Sequence, residues 1–468
     1  MRALGASPGS RRGAAISGAA IRAYDIRGVP GRDFDEDGAR ELGLSYATAA
    51  RERGLKRIGV GRDGRLTSPA LEGGLAAGLA AGGLEVMRIG LGPTPMLGFA
   101  AWRRQWDGAV MVTASHNPPQ ENGFKLMLGG ERICGEALST LVSRPGRTAG
   151  GGRIVRAPAR RSYAAALTEA FADQGAPAFA AVWDAGAGAA APVLRLLLPR
   201  LAGRHTLIHG VVDGHFPGHH PDPAVAANLQ DLAGEVRRRG CDVGFAFDGD
   251  GDRLGVVDEE GDILWADQLL LLLAADLLAR RPGAAVVADV KSSRVLFEGV
   301  ERLGGRAVVA PSGYALVREV MRREGAALAG ELSGHVFFED GWGGIDDALL
   351  AAIRTLGALK RRGASLADFR RSLPATHASP ELRVACPEAR KRAIVCETAA
   401  RFAGKGGVFD AALGLRVTTA DGWWLLRASG TEPKLTGRCE ASSRDGLARL
   451  ERALAEQLSL SGIEPERL

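Results

Sequence analysis

The sequence predicts an α/β fold: three similar α/β domains with mixed, mostly parallel sheets, plus a smaller α+β domain at the C-terminal end. Three observations carry that prediction. A short β-branched or apolar run, a Gly/Ser/Asp-rich loop and a helical stretch recur in that order along most of the chain. This is the alternation of parallel strands covered on both faces by helices. The pattern then changes to closely spaced strand-like runs joined by an Asp-Gly turn. Length agrees, because 468 residues hold three or four domains at roughly 100–200 residues each.

In the first repeat the runs are Lys56–Val60, Leu84–Ile89 and Ala109–Thr113. The second has Phe179–Trp183, Thr206–Val212 and Val243–Phe247, and the third Ala284–Asp289, Arg306–Ala310 and Ala326–Ala329. A basic, Gly/Ala/Ser-rich stretch over 1–20 reads as a disordered tail, and the domains follow as 21–155, 156–260, 261–374 and 375–468. In the last, a helical stretch at Glu388–Phe402 precedes Leu413–Thr419 and Trp423–Arg427, whose Ala-Asp-Gly connection signals a hairpin. A run at Lys434–Glu440 and a helix from Arg444 to Leu458 complete it. The 65 glycines are about twice ordinary usage. Those in Gly73–Gly83 lie among alanines in a helical stretch and read as a composition bias that costs stability.

Composition excludes several function classes. The net charge of +6 is small for the length and no block of Lys/Arg stands out, which argues against nucleic acid as a partner. Cys134, Cys241, Cys386, Cys396 and Cys439 are widely spaced without a C-x-x-C pair. That pattern excludes a disulfide scaffold or zinc knuckle and fits a reducing compartment, so a cytoplasmic location is expected. The longest apolar stretch, Leu269–Leu273, is flanked by Asp267 and Asp276 and reads as a buried helix rather than a membrane span. No apolar segment of useful length follows Arg11–Arg12, so a signal peptide is not expected.

In open α/β sheets ligands bind beyond the carboxyl ends of the strands, so the loops after each run carry the chemistry. After Val110–Thr113 come Ser115 and His116, then Asn117-Pro-Pro and Asn122-Gly-Phe-Lys125. A nucleophilic hydroxyl beside an imidazole, with an amine nearby, suits group transfer, although the same residues also make turns. The absence of a Gly-x-Ser-x-Gly elbow disfavours an esterase triad. After Val243–Phe247, Asp248, Asp250 and Asp252 alternate with glycines and end at Arg253. Three carboxylates turned to one centre repel one another unless a hard divalent cation offsets their charge, and Mg²⁺ in phosphate chemistry is the natural candidate. An EF-hand is rejected, since its sixth position is Arg253 rather than Gly, despite Glu259 at the twelfth. Glu331, Ser333 and His335 alternate in a third loop, as a polyhydroxy ligand would require. Arg427, Ser429, Gly430 and Thr431 make a fourth, an anion cradle of guanidinium, hydroxyls and backbone amides. Gly186-x-Gly188-x-x-Ala191 matches a dinucleotide fingerprint only loosely and lacks the acidic residue expected about 20 positions later. His205 and His209 read as ordinary strand or loop residues, and His215, His219 and His220 as parts of a rigid Pro/Gly loop.

Together these loops resemble those of the α-D-phosphohexomutase superfamily, most of all its bacterial phosphomannomutase/phosphoglucomutase branch. Thr113-Ala-Ser-His-Asn-Pro resembles the phosphoserine loop, Asp248–Arg253 the metal loop, Gly330-Glu-Leu-Ser-Gly-His335 the sugar loop and Arg427-Ala-Ser-Gly-Thr-Glu-Pro the phosphate-binding loop. Ala23–Gly28, Gly61–Ser68 and Phe216–Pro223 match as well, in family order. The resemblance implies four domains around a central cleft, each giving one loop. It implies a phosphoryl group on Ser115 and a Mg²⁺ site formed with Asp248, Asp250 and Asp252. His116, Lys125 and Arg253 would assist transfer, with Lys125 in acid/base work. Tyr24 and Arg27 would line the site beside Ser115. Lys291, Glu331, Ser333 and His335 would contact substrate, and Arg427, Ser429, Gly430 and Thr431 would hold the non-reacting phosphate.

The implied activity is interconversion of hexose 6- and 1-phosphates, mannose preferred and glucose possible, with a hexose 1,6-bisphosphate as intermediate or activator. Phosphoglucosamine mutase and a low-turnover sugar-phosphate-binding homologue are the alternatives. A phosphatase is disfavoured by a clamp that suits both ends of one ligand. Two departures bear on substrate: Tyr314 and Arg318 stand where many relatives carry His and Lys. Leu332 resembles the Met of the mannose/glucose branch more than the Gln of glucosamine enzymes. Expected partners are small-molecule sugar phosphates rather than nucleic acid or membrane, bound by a monomer or homodimer.

Overall fold

The computed structural model describes residues 16–403, 407–410, 413–429 and 434–463. The chain divides into two compact units, Met1–Arg160 with Asp213–His215, and Arg161–Val212 with Phe216–Leu468.

In the first unit the described strands form one sheet in the order Ile26–Gly28, Asn122–Leu128, Gly108–Val112, Arg57–Arg62, Glu85–Leu91 and Arg153–Arg156. The last four run parallel, and the first two close the sheet antiparallel. Gly108–Val112 is buried along its whole length, as a central parallel strand between helices requires.

The second unit carries three sheets. One orders Ile263–Leu264, Leu254–Asp258, Val243–Phe247, Phe179–Asp184 and Gly203–Ile208; the next orders Arg306–Ala310, Ala285–Asp289, Leu328–Gly330, Val336–Phe338 and Ile345–Asp346. Both are parallel at one side and antiparallel at the other. The last sheet, built on Gly414–Thr418, Gly422–Ala428 and Lys434–Ala441, is antiparallel throughout its described strands. Mixed α/β sheets followed by an α+β domain are thus the architecture. Among the described strands of the three α/β sheets, parallel and antiparallel pairings are evenly balanced rather than mostly parallel, because each sheet turns antiparallel where its motif hairpin closes.

Each motif loop occupies the same place in its sheet. It leaves one strand and returns at once in an antiparallel partner, with Val112 opposite Phe124, Phe247 opposite Leu254, Gly330 opposite Val336 and Ala428 opposite Leu435. A hairpin bound on both sides by ladder hydrogen bonds holds a loop more firmly than a strand-to-helix connection tethered at one side.

Three further expectations need correction. The tail expected over 1–20 lies outside the described residues only to 15. Gly18–Ala20 form a 3₁₀ turn with Ala20 buried, and Ser17 N donates to Asp33 O at 2.8 Å. Ile16, Ala20 and Ile21 supply the apolar contacts that the Gly/Ala/Ser composition concealed. Second, Gly74 and Gly78 are not mere composition bias. A Cβ on them would fall 2.3 Å from Glu36 O and 2.0 Å from Arg40 O, so their bare backbone lets Ser68–Ala81 approach the helix Glu36–Glu52 closely. Third, the run Thr206–Val212 is a strand only to Ile208, because His209 turns away with φ +44°.

The Leu269–Leu273 stretch lies buried in the helix Ala266–Arg280. Among the described residues no helix is long and apolar enough to cross a membrane.

Candidate active site

In the first unit the hairpin loop after Gly108–Val112 holds Ser115 almost fully buried, with φ +53°. A serine seldom adopts that left-handed conformation, so the surroundings must enforce it. Thr113 Oγ1 accepts from Ser115 N at 2.9 Å and donates to Asp63 Oδ2 at 2.8 Å. Arg65, itself buried, donates to the carbonyls of Ser115 (2.7 Å), Asn117 (2.6 Å), Pro118 (2.6 Å) and Glu121 (2.8 Å). Asp63 fixes that guanidinium at 3.2 Å, and burial raises its own pKa despite the adjacent charge. Ser115 Oγ lies 3.2 Å from His116 Nδ1. Arg27, held by Asp25 at 2.8 Å, reaches Asn117 Oδ1 at 2.6 Å, and Tyr24 precedes its strand. Lys125 is buried on the returning strand, opposite Met111. Of the five predicted residues, Ser115 and His116 thus belong to the loop, Arg27 and Lys125 to the paired strands Ile26–Gly28 and Asn122–Leu128, and Tyr24 to the bend that precedes Ile26.

In the second unit Asp248, Asp250 and Asp252 are all buried, and one oxygen from each lies within 4.8 Å of the others. Asp248 Oδ1 accepts from the backbone N–H of Asp252 (3.0 Å) and Arg253 (3.2 Å), which curls the loop around its own first carboxylate. The donor set is all carboxylate oxygen, the set that fits a hard cation such as Mg²⁺. The glycines of the loose dinucleotide pattern serve this turn instead. A Cβ at Gly188 would lie 2.8 Å from Gly249 O, and Ala189 N donates to that oxygen at 2.9 Å.

Arg253 Nε meets His335 Nε2 at 3.1 Å, which joins the metal-type loop to the third loop. His335 Nδ1 lies 3.3 Å from Asp346 Oδ2 and 3.7 Å from Asp252 Oδ1. Glu331 accepts from Gly313 N at 2.5 Å and from Ser333 Oγ at 3.5 Å. Burial raises the Glu331 pKa, and the nearby His335 partly opposes the rise. Asp289 binds three loops at once, accepting from Ser292 Oγ (2.9 Å), Ser312 Oγ (2.7 Å) and Leu332 N (3.1 Å). Lys291 pairs with Glu381 at 3.2 Å. At the fourth loop Arg427 is the penultimate residue of the strand Gly422–Ala428, while Ser429 N donates to Lys434 O at 2.9 Å and Ser429 O accepts from Lys391 Nζ at 2.6 Å. Gly430 and Thr431 lie outside the described residues.

Against known proteins, profiles of the phosphoglucomutase/phosphomannomutase α/β/α domains I, II and III match residues 18–142, 161–261 and 265–377. The profile of the C-terminal domain matches 381–457. The chain is 38% identical over 445 residues to a phosphoglucomutase from Neisseria gonorrhoeae, covering 94% of this chain and 96% of that protein. The chain belongs to the phosphoglucomutase/phosphomannomutase family. It is 37% identical over 442 residues to the phosphomannomutase/phosphoglucomutase of Pseudomonas aeruginosa, covering 94% and 95% of the two chains. A crystal structure of a phosphoglucomutase/phosphomannomutase family protein from Burkholderia thailandensis superposes with TM-score 0.88 at 37% identity, covering 97% and 99%. As a member of the phosphoglucomutase/phosphomannomutase family the chain is a mutase, an isomerase with the phosphohexomutase fold.

Sequence reasoning about this family's loops missed two organising groups. Arg65 lies inside the matched segment Gly61–Ser68 and Asp289 ends a predicted strand, yet Ser115 and Leu332 lie 50 and 43 residues away from them, so the local pattern does not show what these two groups hold. Tyr314, one of the two departures, is buried with its ring 5.7 Å from that of His335. The other, Arg318, donates to Gly344 O at 2.9 Å.

Proposed function

We propose that this protein is a Mg²⁺-dependent phosphohexomutase that interconverts hexose 6-phosphates and hexose 1-phosphates through a phosphorylated Ser115. A hexose 1,6-bisphosphate is the intermediate and activator. Mannose phosphates are preferred and glucose phosphates are second substrates, a reading supported by relatives named phosphomannomutase/phosphoglucomutase and by Leu332. The observation that carries the proposal is the 3.1 Å contact between Arg253 and His335. It couples three buried carboxylates to a loop of hydroxyl-binding groups, so cation-assisted phosphate chemistry and sugar recognition belong to one site.

Asp248, Asp250 and Asp252 would hold the Mg²⁺, with the Ser115 phosphate as a further ligand. When bound, the ion would offset charge on the oxygens of the transferring phosphoryl group. In the first half-reaction the Ser115 Oγ–P bond breaks as a sugar hydroxyl oxygen bonds to phosphorus, and Lys125 takes the hydroxyl proton. In the second, the other sugar O–P bond breaks as Ser115 Oγ bonds to phosphorus, and the proton returns to the sugar oxygen. His116 and Arg253 assist, and Tyr24 and Arg27 line the serine side. Lys291, Glu331, Ser333 and His335 orient the sugar, and Arg427, Ser429, Gly430 and Thr431 grip the phosphate that does not react. After the bisphosphate turns round, its other phosphoryl group returns to Ser115. A cytoplasmic location accords with five widely spaced cysteines that form no disulfide, and sugar phosphates are the partners.

Intact-mass measurement tests the reading: the purified protein should exceed its sequence mass by one phosphate, and Ser115→Ala should remove the increment and reduce turnover to background. Undiminished catalysis by that variant would sink the mechanism. A coupled panel of mannose, glucose and glucosamine phosphates, primed with bisphosphate, ranks the sugars. Net phosphate release would indicate a phosphatase, and binding without turnover a sugar-phosphate-binding homologue.

A further inference from the structure

Three side chains converge at the carboxyl ends of Phe179–Asp184 and Gly203–Ile208, apart from every residue given a role above. Asp184 is fully buried at the end of its strand, His209 follows the neighbouring strand, and His219 comes from the Phe216–Pro223 segment. One ligand-type atom from each lies within 4.8 Å of the others. His219 Nε2 is 2.9 Å from Asp184 Oδ2, and the two imidazole rings meet edge to face with centroids 4.9 Å apart. Asp231 Oδ2, at 3.1 Å, holds His209 Nε2.

One feature of this cluster asks for a positive charge, and a second shows that the two rings are brought together at a cost. His219 Nδ1 lies 3.0 Å from the carbonyl of His220, so that nitrogen carries a hydrogen and donates. The other nitrogen then turns its lone pair toward a carboxylate oxygen, which is repulsive unless a proton or a metal ion is bound there. Imidazole ligands are oriented in this way in metal sites, one nitrogen on a backbone carbonyl and the other toward the ion. His209 supplies the second feature. Its backbone sits at φ +44°, and a Cβ on Gly218 would come within 2.5 Å of its ring. The chain accepts local strain and a side-chain-free neighbour to bring this ring beside His219.

We propose that Asp184, His209 and His219 form a binding site for a zinc-class divalent transition ion. Two imidazole nitrogens and one carboxylate oxygen match the mixed donors that zinc takes and leave a position for water. Mg²⁺, which demands oxygen ligands, does not fit this set. The role that follows is a brace. Asp184 Oδ1 accepts from Gly186 N at 2.8 Å, and three residues on, Ala189 N donates to Gly249 O at 2.9 Å. An ion on Asp184 would stiffen the loop that supports the Asp248–Asp252 turn from behind.

The test uses the full-length protein, stripped of metal and returned to saturating Mg²⁺ so that the aspartate triplet is filled. Zn²⁺ titrated against a chromophoric chelator should bind at one tight equivalent, and Co²⁺ should give the visible absorption of a four-coordinate site. His219→Asn and His209→Gln should each weaken Zn²⁺ binding by at least ~10–100-fold, the loss that follows removal of even an outer partner of a ligand. Asp250→Asn should leave it unchanged. Circular dichroism checks the fold of each variant, and His209, partly exposed, is the replacement that disturbs packing least. The proposal is overturned if the native protein binds no Zn²⁺ in Mg²⁺. It is equally overturned if both histidine variants bind normally, or if Asp250→Asn abolishes binding.

Discussion

Asp248, Asp250 and Asp252 share their spacing with Asp258, Glu260 and Asp262, a little further along the same run of antiparallel strands. In both triplets three carboxylate oxygens come within 4.8 Å of one another. The first is buried at every position, whereas in the second only Asp258 is buried, and the side chains of Glu260 and Asp262 are 45% and 61% exposed. The second triplet also has a built-in cation. Arg370 lies 2.7 Å from Asp258 Oδ2, 3.1 Å from Glu260 Oε2 and 2.6 Å from Asp262 Oδ2, and Arg371 pairs with Glu260. Alternating acids therefore converge in either case. Burial and the source of the compensating charge separate a candidate ion site from a structural salt-bridge network.

The largest effect that sharpens this contrast is expected from neutralising one carboxylate in each triplet. Asp250→Asn should lower turnover by about 10²–10³-fold, the scale of losing one preorganised electrostatic group, and raise the Mg²⁺ concentration needed for half-maximal rate. Glu260→Gln should leave both unchanged. Mg²⁺ titrations of the coupled assay read both effects; equal losses in the two variants would erase the functional distinction.

Next in size is a loss of stability in the second triplet. Arg370→Ala leaves Asp258 buried beside two further acids, and breaking such a pair typically costs about 3–5 kcal/mol. Partial exposure of the guanidinium places the expectation near the lower figure, about 3 kcal/mol. Turnover at room temperature should survive. Divalent cations should recover part of the lost melting temperature, since whatever binds the folded form alone stabilises it. Recovery with Mg²⁺ but not with Na⁺ at equal ionic strength would show that removing the arginine converts the second triplet toward the first.

Legibility from sequence follows the same division between local pattern and distant partner. Val243–Phe247, Arg306–Ala310 and Glu388–Phe402 are continuous in hydrophobicity or helical in period, and the observed elements coincide with them. The four motif loops stood out because their special residues are contiguous. Less legible were the antiparallel returns Asn122–Leu128 and Val336–Phe338. The first opens with an Asn-Gly pair that reads as a turn, and the second is only three residues long. Least legible were groups that act across the chain. Arg370 answers acids more than 100 residues earlier, and the partners of His219 lie on other segments. No window along the sequence brings such residues together.

A third resolution of the same burial problem uses neither cation nor arginine, and it gives the smallest expected effect. Asp347 is fully buried and accepts from Tyr163 Oη (2.7 Å), Trp342 Nε1 (2.7 Å) and Leu350 N (3.0 Å). Burial raises its pKa to about 6, although these donors pull it back. Since its ordinary value is 3.8, the folded chain holds more protons than the unfolded chain between those limits. Stability from this group is therefore fully present below about pH 4 and declines as pH rises toward 6, by on the order of 2–3 kcal/mol. Asp347→Asn removes that slope, so denaturant unfolding should show the native protein gaining on the variant by this amount between pH 7 and pH 4. Other carboxylates contribute equally to both proteins and cancel in the difference. A flat difference would mean that three neutral donors hold a buried carboxylate as well as water does. The cation expected at Asp248, Asp250 and Asp252 would then be needed for their mutual repulsion rather than for their burial.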